Sequence, residues 1–166
     1  MLVIPGDWQK RWKGRDVFKV LSAMDGQVYR ENDGRKTMRF SIDGTYFFIK
    51  FHSGIGWKEI LKDIFQFRLP VTSACNEWQG IQRCNELGLN TASLVGYGKK
   101  GSNPAKLQSF IVTEELTDTI SLEDFCYDWK KSPPSYELKK ALIHEVARIS
   151  RIIPFKLTIL IRRWLE

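Results

Sequence analysis

A lysine at the end of an apolar strand and a carboxylate on the next core helix are the side chains best placed to do chemistry. Lys50 follows residues 46–49, three aromatics and an isoleucine, which favour a pleated, half-buried strand. Glu77 lies on the apolar stripe of a predicted helix over residues 74–87. A carboxylate that faces the core needs a partner, because an unpaired buried charge is costly. A Lys50–Glu77 pair could hold the lysine on the phosphates of a nucleotide.

Both residues also have ordinary interpretations. A lysine that ends an apolar strand usually lays its stem along the core and keeps its ammonium in water, so Lys50 could be a solvated surface residue. A glutamate in the first turn of a helix interacts favourably with the helix dipole, and Glu77 could serve only that purpose. The sequence alone leaves these alternatives open.

Two strands joined by a tight turn would position Lys50. Residues 37–42 and 46–50 are β-type runs, and Asp43-Gly44 lies between them. A two-residue Asp-Gly loop is the strongest short-range hairpin signal, because both of its residues can adopt positive φ. The sequence therefore predicts a hairpin whose second strand carries the lysine.

The turn that precedes this hairpin, residues 31–36, occupies the position that the phosphate-covering loop has in a protein kinase. Gly34 is its single glycine, so the turn lacks the G-x-G-x-x-G pattern. Arg35, Lys36 and Arg39 could supply the positive charge that a phosphate needs. An ordinary polar hairpin turn accounts for the same residues at least as well.

The order of the predicted elements indicates the fold class. The strand over residues 107–113 runs directly into Glu114, Glu115 and Leu116, the position of the hinge in a protein kinase. Residues 1–15 are interpreted as a loose arm. The other predicted elements are a strand over 28–30, helices over 57–67, 121–129 and 136–153, and a strand over 93–98, with Asp16–Met24 left as either helix or strand. The order predicts an α+β fold: a protein-kinase-like N-lobe, with an antiparallel sheet and a Glu-bearing helix, followed by the first helices of an incomplete helical C-lobe.

Composition narrows the possible functions. The 166 residues suit one domain, and 26 Lys and Arg against 19 Asp and Glu give a net charge of +7. Such a charge could suit nucleic acid, an anionic membrane surface or a phosphorylated ligand, but no nucleic-acid-binding motif supports the first. The three cysteines lack CxxC spacing, which favours a reduced cytosolic protein without structural zinc, and no metal site is predicted. The N-terminus lacks the pattern of a signal peptide, and no segment has the apolar length of a membrane span.

A set of short segments between about Trp8 and Arg151 carries a family resemblance. These segments are residues 28–30, 34–40, 46–52, 54–60, 68–71, 77–78, 101–105, 109–116 and 121–125. Together they resemble the lipopolysaccharide core heptose kinases of Gram-negative bacteria, the Kdo/WaaP group, which phosphorylate the first inner-core heptose. The single-glycine loop at Gly34 is usual for this group.

The resemblance implies roles for particular residues. Lys50 would hold the phosphates of ATP, and Glu77 would orient Lys50. The residues that would complete the nucleotide site are Gly34, Arg35, Lys36, Glu114, Glu115 and Leu116, the last three lining the adenine pocket. Mg²⁺ is also implied. The implied setting is cytoplasmic and peripheral, at the inner face of the inner membrane, with the lipopolysaccharide core as acceptor and an anionic membrane surface or an acidic acyl carrier protein as partner; no nucleic-acid partner is expected.

The sequence departs from the family near its end. The family has a catalytic loop of His-Arg-Asp type and a later metal-binding Asp, but residues 152–166 contain no Asp, Asn or His. We therefore divide the chain into a kinase-like N-lobe with its arm (1–116), the start of a C-lobe (117–153) and a tail unlike the family (154–166). A shifted reading frame would explain that tail, and a chain truncated in this way is expected to be inactive alone. The alternative is a non-catalytic nucleotide-binding or interaction module.

Overall fold

The computed structural model describes residues 1–32, 34–66 and 73–152, and these form a sheet with helices on both faces. The strands are β1 (Leu2–Val3), β2 (Gln27–Asn32), β3 (Arg35–Ile42), β4 (Thr45–His52), β5 (Leu94–Lys100) and β6 (Gln108–Glu114). The α-helices are α1 (Gly6–Arg11), α2 (Val17–Ser22), α3 (Gly56–Phe65), α4 (Cys75–Glu86), α5 (Leu122–Cys126) and α6 (Tyr136–Ile152). Pro104–Lys106 form one turn of 3₁₀ helix.

The sheet has six strands within the described residues, in the order β1-β5-β6-β4-β3-β2, and every neighbouring pair is antiparallel. The predicted hairpin is confirmed, because Asp43 and Gly44 have φ values of 52° and 81° and join β3 to β4. The register places Lys50 opposite Thr37 on β3 and Ile111 on β6. Lys50 therefore lies on a central strand rather than at an edge.

The N-terminal residues cover one face of the sheet, so the prediction of a loose arm is wrong. Trp8 and Trp12 are only 6% and 4% exposed and belong to one apolar cluster with Phe40 and Phe47. The undecided segment after the arm is helix α2, which Asp16 caps by accepting a hydrogen bond from the Phe18 N–H. The physical reason is that this face of the sheet is apolar and requires a covering layer.

Helix α4 covers part of the opposite face. Its start is fixed to β6, since the Ala74 N–H donates to the buried Ser109 hydroxyl at 2.9 Å. Ala74 and Ile81 then pack on Ile111. The predicted helix is confirmed to within a residue at each end, and Gly88, with φ of 71°, follows it as expected.

The helices after β6 form the last described part of the chain. Ser121 caps α5 by accepting a hydrogen bond from the Asp124 N–H, as the sequence predicts. Ile149 and Ile152 of α6 pack against the end of α4. Among the described residues no helix has the length and apolar character required to cross a membrane. Phe67, the segment 68–71 and the tail 154–166 lie outside the described residues.

Candidate nucleotide-binding site

The structure brings Lys50 and Glu77 into contact. The Lys50 Nζ lies 3.1 Å from Glu77 Oε1, and the two side chains are 27% and 15% exposed. Strand β4 places the lysine on the sheet face that α4 covers, and the first turn of α4 supplies the carboxylate. Burial lowers the pKa of Lys50, and the Glu77 carboxylate partly offsets this effect. A fixed, partly buried ammonium of this kind is suited to binding an anion.

The turn before β3 is packed tightly against the loop that follows β4. The Ser53 N–H donates to the Gly34 carbonyl at 2.7 Å. Gly34 has φ of 71°, and a Cβ added there would lie 2.2 Å from the Gly54 carbonyl oxygen. The glycine is therefore required both by its backbone conformation and by close packing. This contact holds the turn against the end of the strand that carries Lys50.

The two basic residues after this turn lie on different faces of the sheet. Arg35 is opposite His52, whereas Lys36 is opposite Phe51. Because successive strand residues alternate between faces, Arg35 lies on the same face as Lys50 and Lys36 lies on the other. The structure thus places one of the two, not both, on the Lys50 face.

His52 lies near two positively charged side chains, Arg35 and Lys50, at this end of the sheet. Its side chain is buried, and its Nδ1 has no hydrogen-bond partner among the described residues. Burial, together with the nearby charges of Arg35 and Lys50, lowers the pKa of His52 to about 4. The buried imidazole is therefore neutral near neutral pH and lies close enough to Arg35 and Lys50 to be affected by both charges.

The predicted hinge residues Glu114 and Glu115 contact neighbouring strands and the segment before β5. The Glu115 carboxylate accepts two hydrogen bonds from the Arg39 guanidinium, at 2.6 and 2.8 Å. The Arg39 Cζ also lies 3.8 Å from the centroid of the Tyr46 ring. The Glu115 N–H donates to the Tyr46 carbonyl at 3.1 Å, and the Glu114 N–H donates to the Ser93 carbonyl at 2.9 Å. The Arg39 guanidinium holds the pKa of Glu115 below its usual range.

Aromatic side chains occupy the face between Lys50 and Glu115. Phe48 precedes Lys50 by two residues and therefore shares its face. The ring of Tyr29 on β2 lies 5.4 Å from that of Phe48, centroid to centroid. The face thus has a cationic end and an aromatic end, which together match the phosphates and the base of a nucleotide.

Residues 19–153 match the model of the lipopolysaccharide kinase (Kdo/WaaP) family. The chain belongs to this family. The resemblance found in the sequence is thereby confirmed, and the antiparallel sheet agrees with the predicted α+β, kinase-like fold.

The chain is similar to named kinases of Pseudomonas aeruginosa and Escherichia coli and to a solved structure. The chain is 48% identical over 148 residues to the lipopolysaccharide core heptose(I) kinase WaaP of Pseudomonas aeruginosa PAO1, covering 89% of this chain and 55% of that protein. For the kinase of the same name from Escherichia coli K12, the identity is 44% over 140 residues, covering 84% and 53%. A solved structure described as WaaP in complex with acyl carrier protein aligns with a TM-score of 0.72 and 41% identity, covering 90% of this chain and 54% of that one. The chain thus spans about half the length of the relatives it matches.

The structure contains one ion pair near the predicted hinge that the sequence did not reveal. Arg39, which the sequence suggested as a source of positive charge for a phosphate, pairs with Glu115 at 2.6 Å. Its pairing depends on the register of three strands, so sequence spacing alone gave no signal for it. Leu116, the third predicted hinge residue, is exposed.

The residues present fit phosphates better than they fit a metal ion. Lys50 and Arg35 supply positive charge on one face. In the part of the chain that the structure describes, no three His, Cys, Asp or Glu side chains lie close enough together to hold a metal. We therefore assign no step to Mg²⁺ in this chain, although kinase chemistry normally employs it.

Proposed function

We propose that this chain forms the nucleotide-binding half of an ATP-dependent kinase for an inner-core heptose of lipopolysaccharide. The observation that carries the proposal is the Lys50–Glu77 contact at 3.1 Å, in a chain of the Kdo/WaaP family. Phosphoryl transfer relies on positioning and on charge stabilisation rather than on covalent chemistry by the protein. A fixed ammonium is one of the parts that such a site needs.

The site's own residues suggest how a nucleotide would be held. Lys50 would contact the phosphates, and Glu77 would keep the ammonium from turning toward solvent. Gly34 and Arg35 lie at the same end of the sheet and would cover the phosphates. The base would lie toward Phe48 and the segment that begins at Glu115, where the surface is aromatic.

Removing the Lys50 ammonium provides the first test. We expect Lys50→Ala to weaken ATP binding roughly tenfold or more, since a charge-assisted contact contributes on the order of 1.5–3 kcal/mol. Binding would be measured by calorimetry and by the ATP-dependent shift in melting temperature. Lys139→Ala, at an exposed site on α6, is the matched control and should leave binding unchanged. Equal ATP affinity in Lys50→Ala and in the unaltered chain would contradict the assignment.

A second candidate is a non-catalytic nucleotide-binding module. It is favoured by the lack of any Asp, Asn or His in residues 152–166, where the family's catalytic loop is expected. We infer that the chain alone binds ATP but transfers little or no phosphate. Incubation with labelled ATP and heptose-containing core would test this inference. Phosphorylation lost in Lys50→Ala would instead establish activity in the isolated chain.

An acidic acyl carrier protein is the partner we propose. We also propose that the chain acts at the cytoplasmic face of the inner membrane. The support for the partner is that the solved relative is described as a complex with acyl carrier protein, and that this chain carries a net charge of +7. Complementary charge accelerates association and makes it sensitive to salt. Co-purification that falls with ionic strength would support the interaction, and failure to bind at low salt would exclude it for this chain.

A further inference from the structure

Helix α3 carries a stripe of large apolar side chains that faces solvent. Trp57, Leu61 and Phe65 follow one another at intervals of four residues and are 55%, 49% and 82% exposed. Residues at this spacing lie on one side of a helix. Single exposed apolar residues are normal on a protein surface, but a continuous stripe marks an interaction site.

The buried side of α3 is separate from this stripe. Ile60 is 5% exposed and packs with Ile55 and Ala105, which fixes the helix to the 3₁₀ turn at Pro104–Lys106. These buried contacts with the 3₁₀ turn do not involve Trp57, Leu61 or Phe65. The three side chains are thus exposed even though the helix is packed against the 3₁₀ turn.

Two lysines border the stripe. Lys58 and Lys62 each follow a stripe residue directly and are exposed. At about 100° per residue they lie on the flank of the stripe that is farther from Ile60. Lys106 of the adjoining 3₁₀ turn adds positive charge to the same part of the molecule.

Helix α3 and the helices that follow β6 begin at different ends of the sheet, so the stripe on α3 is not part of the surface that those helices form. Strand β4 ends at His52, opposite Ser109, and α3 follows that end. Helices α5 and α6 come after the opposite end of the sheet, where Phe47 lies opposite Glu114. The exposed stripe and the helices that follow β6 thus leave the sheet at different ends.

We propose that α3 docks on an anionic lipid bilayer. Trp57, Leu61 and Phe65 would enter the boundary between headgroups and acyl chains, and Lys58 and Lys62 would contact anionic headgroups. Lipid fits better than a folded protein because the stripe is one side of a single helix with lysines beside it, and a bilayer accepts such a helix without a matching groove. The docking stands apart from nucleotide binding; if the proposed function also holds, it brings the Lys50 end of the sheet toward a lipid-linked acceptor.

Sedimentation of the full chain with vesicles tests the proposal. Phosphatidylethanolamine vesicles that contain phosphatidylglycerol should bind the chain, and phosphatidylcholine vesicles should bind it much less. Trp57→Ser/Phe65→Ser should lower the vesicle partition coefficient roughly tenfold or more, because two inserted side chains are lost. The matched control is Tyr127→Ser/Ile143→Ser, which removes two similarly exposed apolar residues from the helical part and should leave binding unchanged.

Charge is tested separately. Lys58→Gln/Lys62→Gln should also weaken binding to anionic vesicles on the order of tenfold, and added salt should have the same effect. The altered residues are exposed, so the melting temperature should stay close to that of the unaltered chain, and the ATP-dependent shift reports the proposed function independently. Equal vesicle binding by the Trp57/Phe65 variant, or equal binding to neutral and anionic vesicles, would overturn the proposal. The proposal would also be overturned if the Trp57/Phe65 variant lost binding to an acidic carrier protein but bound vesicles as well as the unaltered chain does.

Discussion

His52 shows how one buried side chain can make the stability of the fold sensitive to acid. Burial and the charges of Arg35 and Lys50 lower its pKa from 6.5 to about 4, so the folded protein keeps the imidazole neutral near neutral pH. The unfolded chain takes up a proton first as the pH falls. The free energy of unfolding must therefore decrease between about pH 6.5 and pH 4, whereas above pH 7 His52 contributes no pH dependence.

This argument gives a quantitative prediction. Between about pH 7.5 and about pH 5, His52 should lower the free energy of unfolding by about 2 kcal/mol. His52→Gln should remove that part of the acid sensitivity, as measured by urea unfolding at the two pH values. His144→Gln, at an exposed position of α6, is the matched control and should change the pH dependence much less. The same loss of stability in His52→Gln and in the unaltered chain would show that His52 is not the group responsible.

At the scale of elements, the Arg39–Glu115 pair joins strand β3 to the segment that follows β6. The pair is bidentate and half-buried, and Arg39 also lies over the ring of Tyr46. Such a fork fixes both distance and orientation, which a single ammonium could not do. We infer that it holds the segment after β6 against the hairpin.

Charge variants test that connection. Arg39→Gln and Glu115→Gln should each lower the melting temperature, since either change leaves one charged partner unsatisfied. The exchange Arg39→Glu/Glu115→Arg should restore part of the loss, because it keeps opposite charges at the same two positions. Thermal unfolding of the three variants measures the coupling. Losses that simply add in the exchanged double variant would show that the two residues do not act as a pair.

The N-terminal helices form a structural layer, and tryptophan truncations measure its contribution. Trp8 is buried under the sheet, so Trp8→Ala should lower the free energy of unfolding by ~3–5 kcal/mol. Trp57→Ala removes the same side chain from an exposed position and should change it by no more than ~0.5 kcal/mol. Urea unfolding of both variants gives the comparison. A small effect for Trp8 would favour the loose arm that its polar neighbours suggest.

These elements show which features a sequence can predict. The Lys50–Glu77 contact could be foreseen, because strand alternation and the helical stripe each direct one side chain to the same interface. The packing of Trp8 could not, since a second covering layer is required by the finished sheet and not by the local sequence. The Arg39–Glu115 pair could not be foreseen for a related reason: it is set by strand register, which brings together residues 76 positions apart.

At the scale of the whole molecule, the described helices after β6 leave much apolar surface uncovered. Exposed apolar side chains on α6 include Leu138, Ile143 and Val146, whereas Ile149 and Ile152 pack on the end of α4. The relatives are nearly twice as long as the region they share with this chain. We therefore expect that in the longer proteins further chain covers this surface.

Self-association of the chain tests that expectation, because uncovered apolar surface promotes association in water. The chain should associate with rising concentration in analytical ultracentrifugation, and Ile143→Lys/Val146→Lys should weaken the association on the order of tenfold. As a control, Val28→Lys introduces one lysine on β2, at a position as exposed as Val146, and should have little effect. A chain that stays monomeric and melts cooperatively would contradict the expectation, since α6 would then be stable without any cover. Association that Val28→Lys weakens as strongly as the α6 variant would instead identify the edge of the sheet as the surface involved.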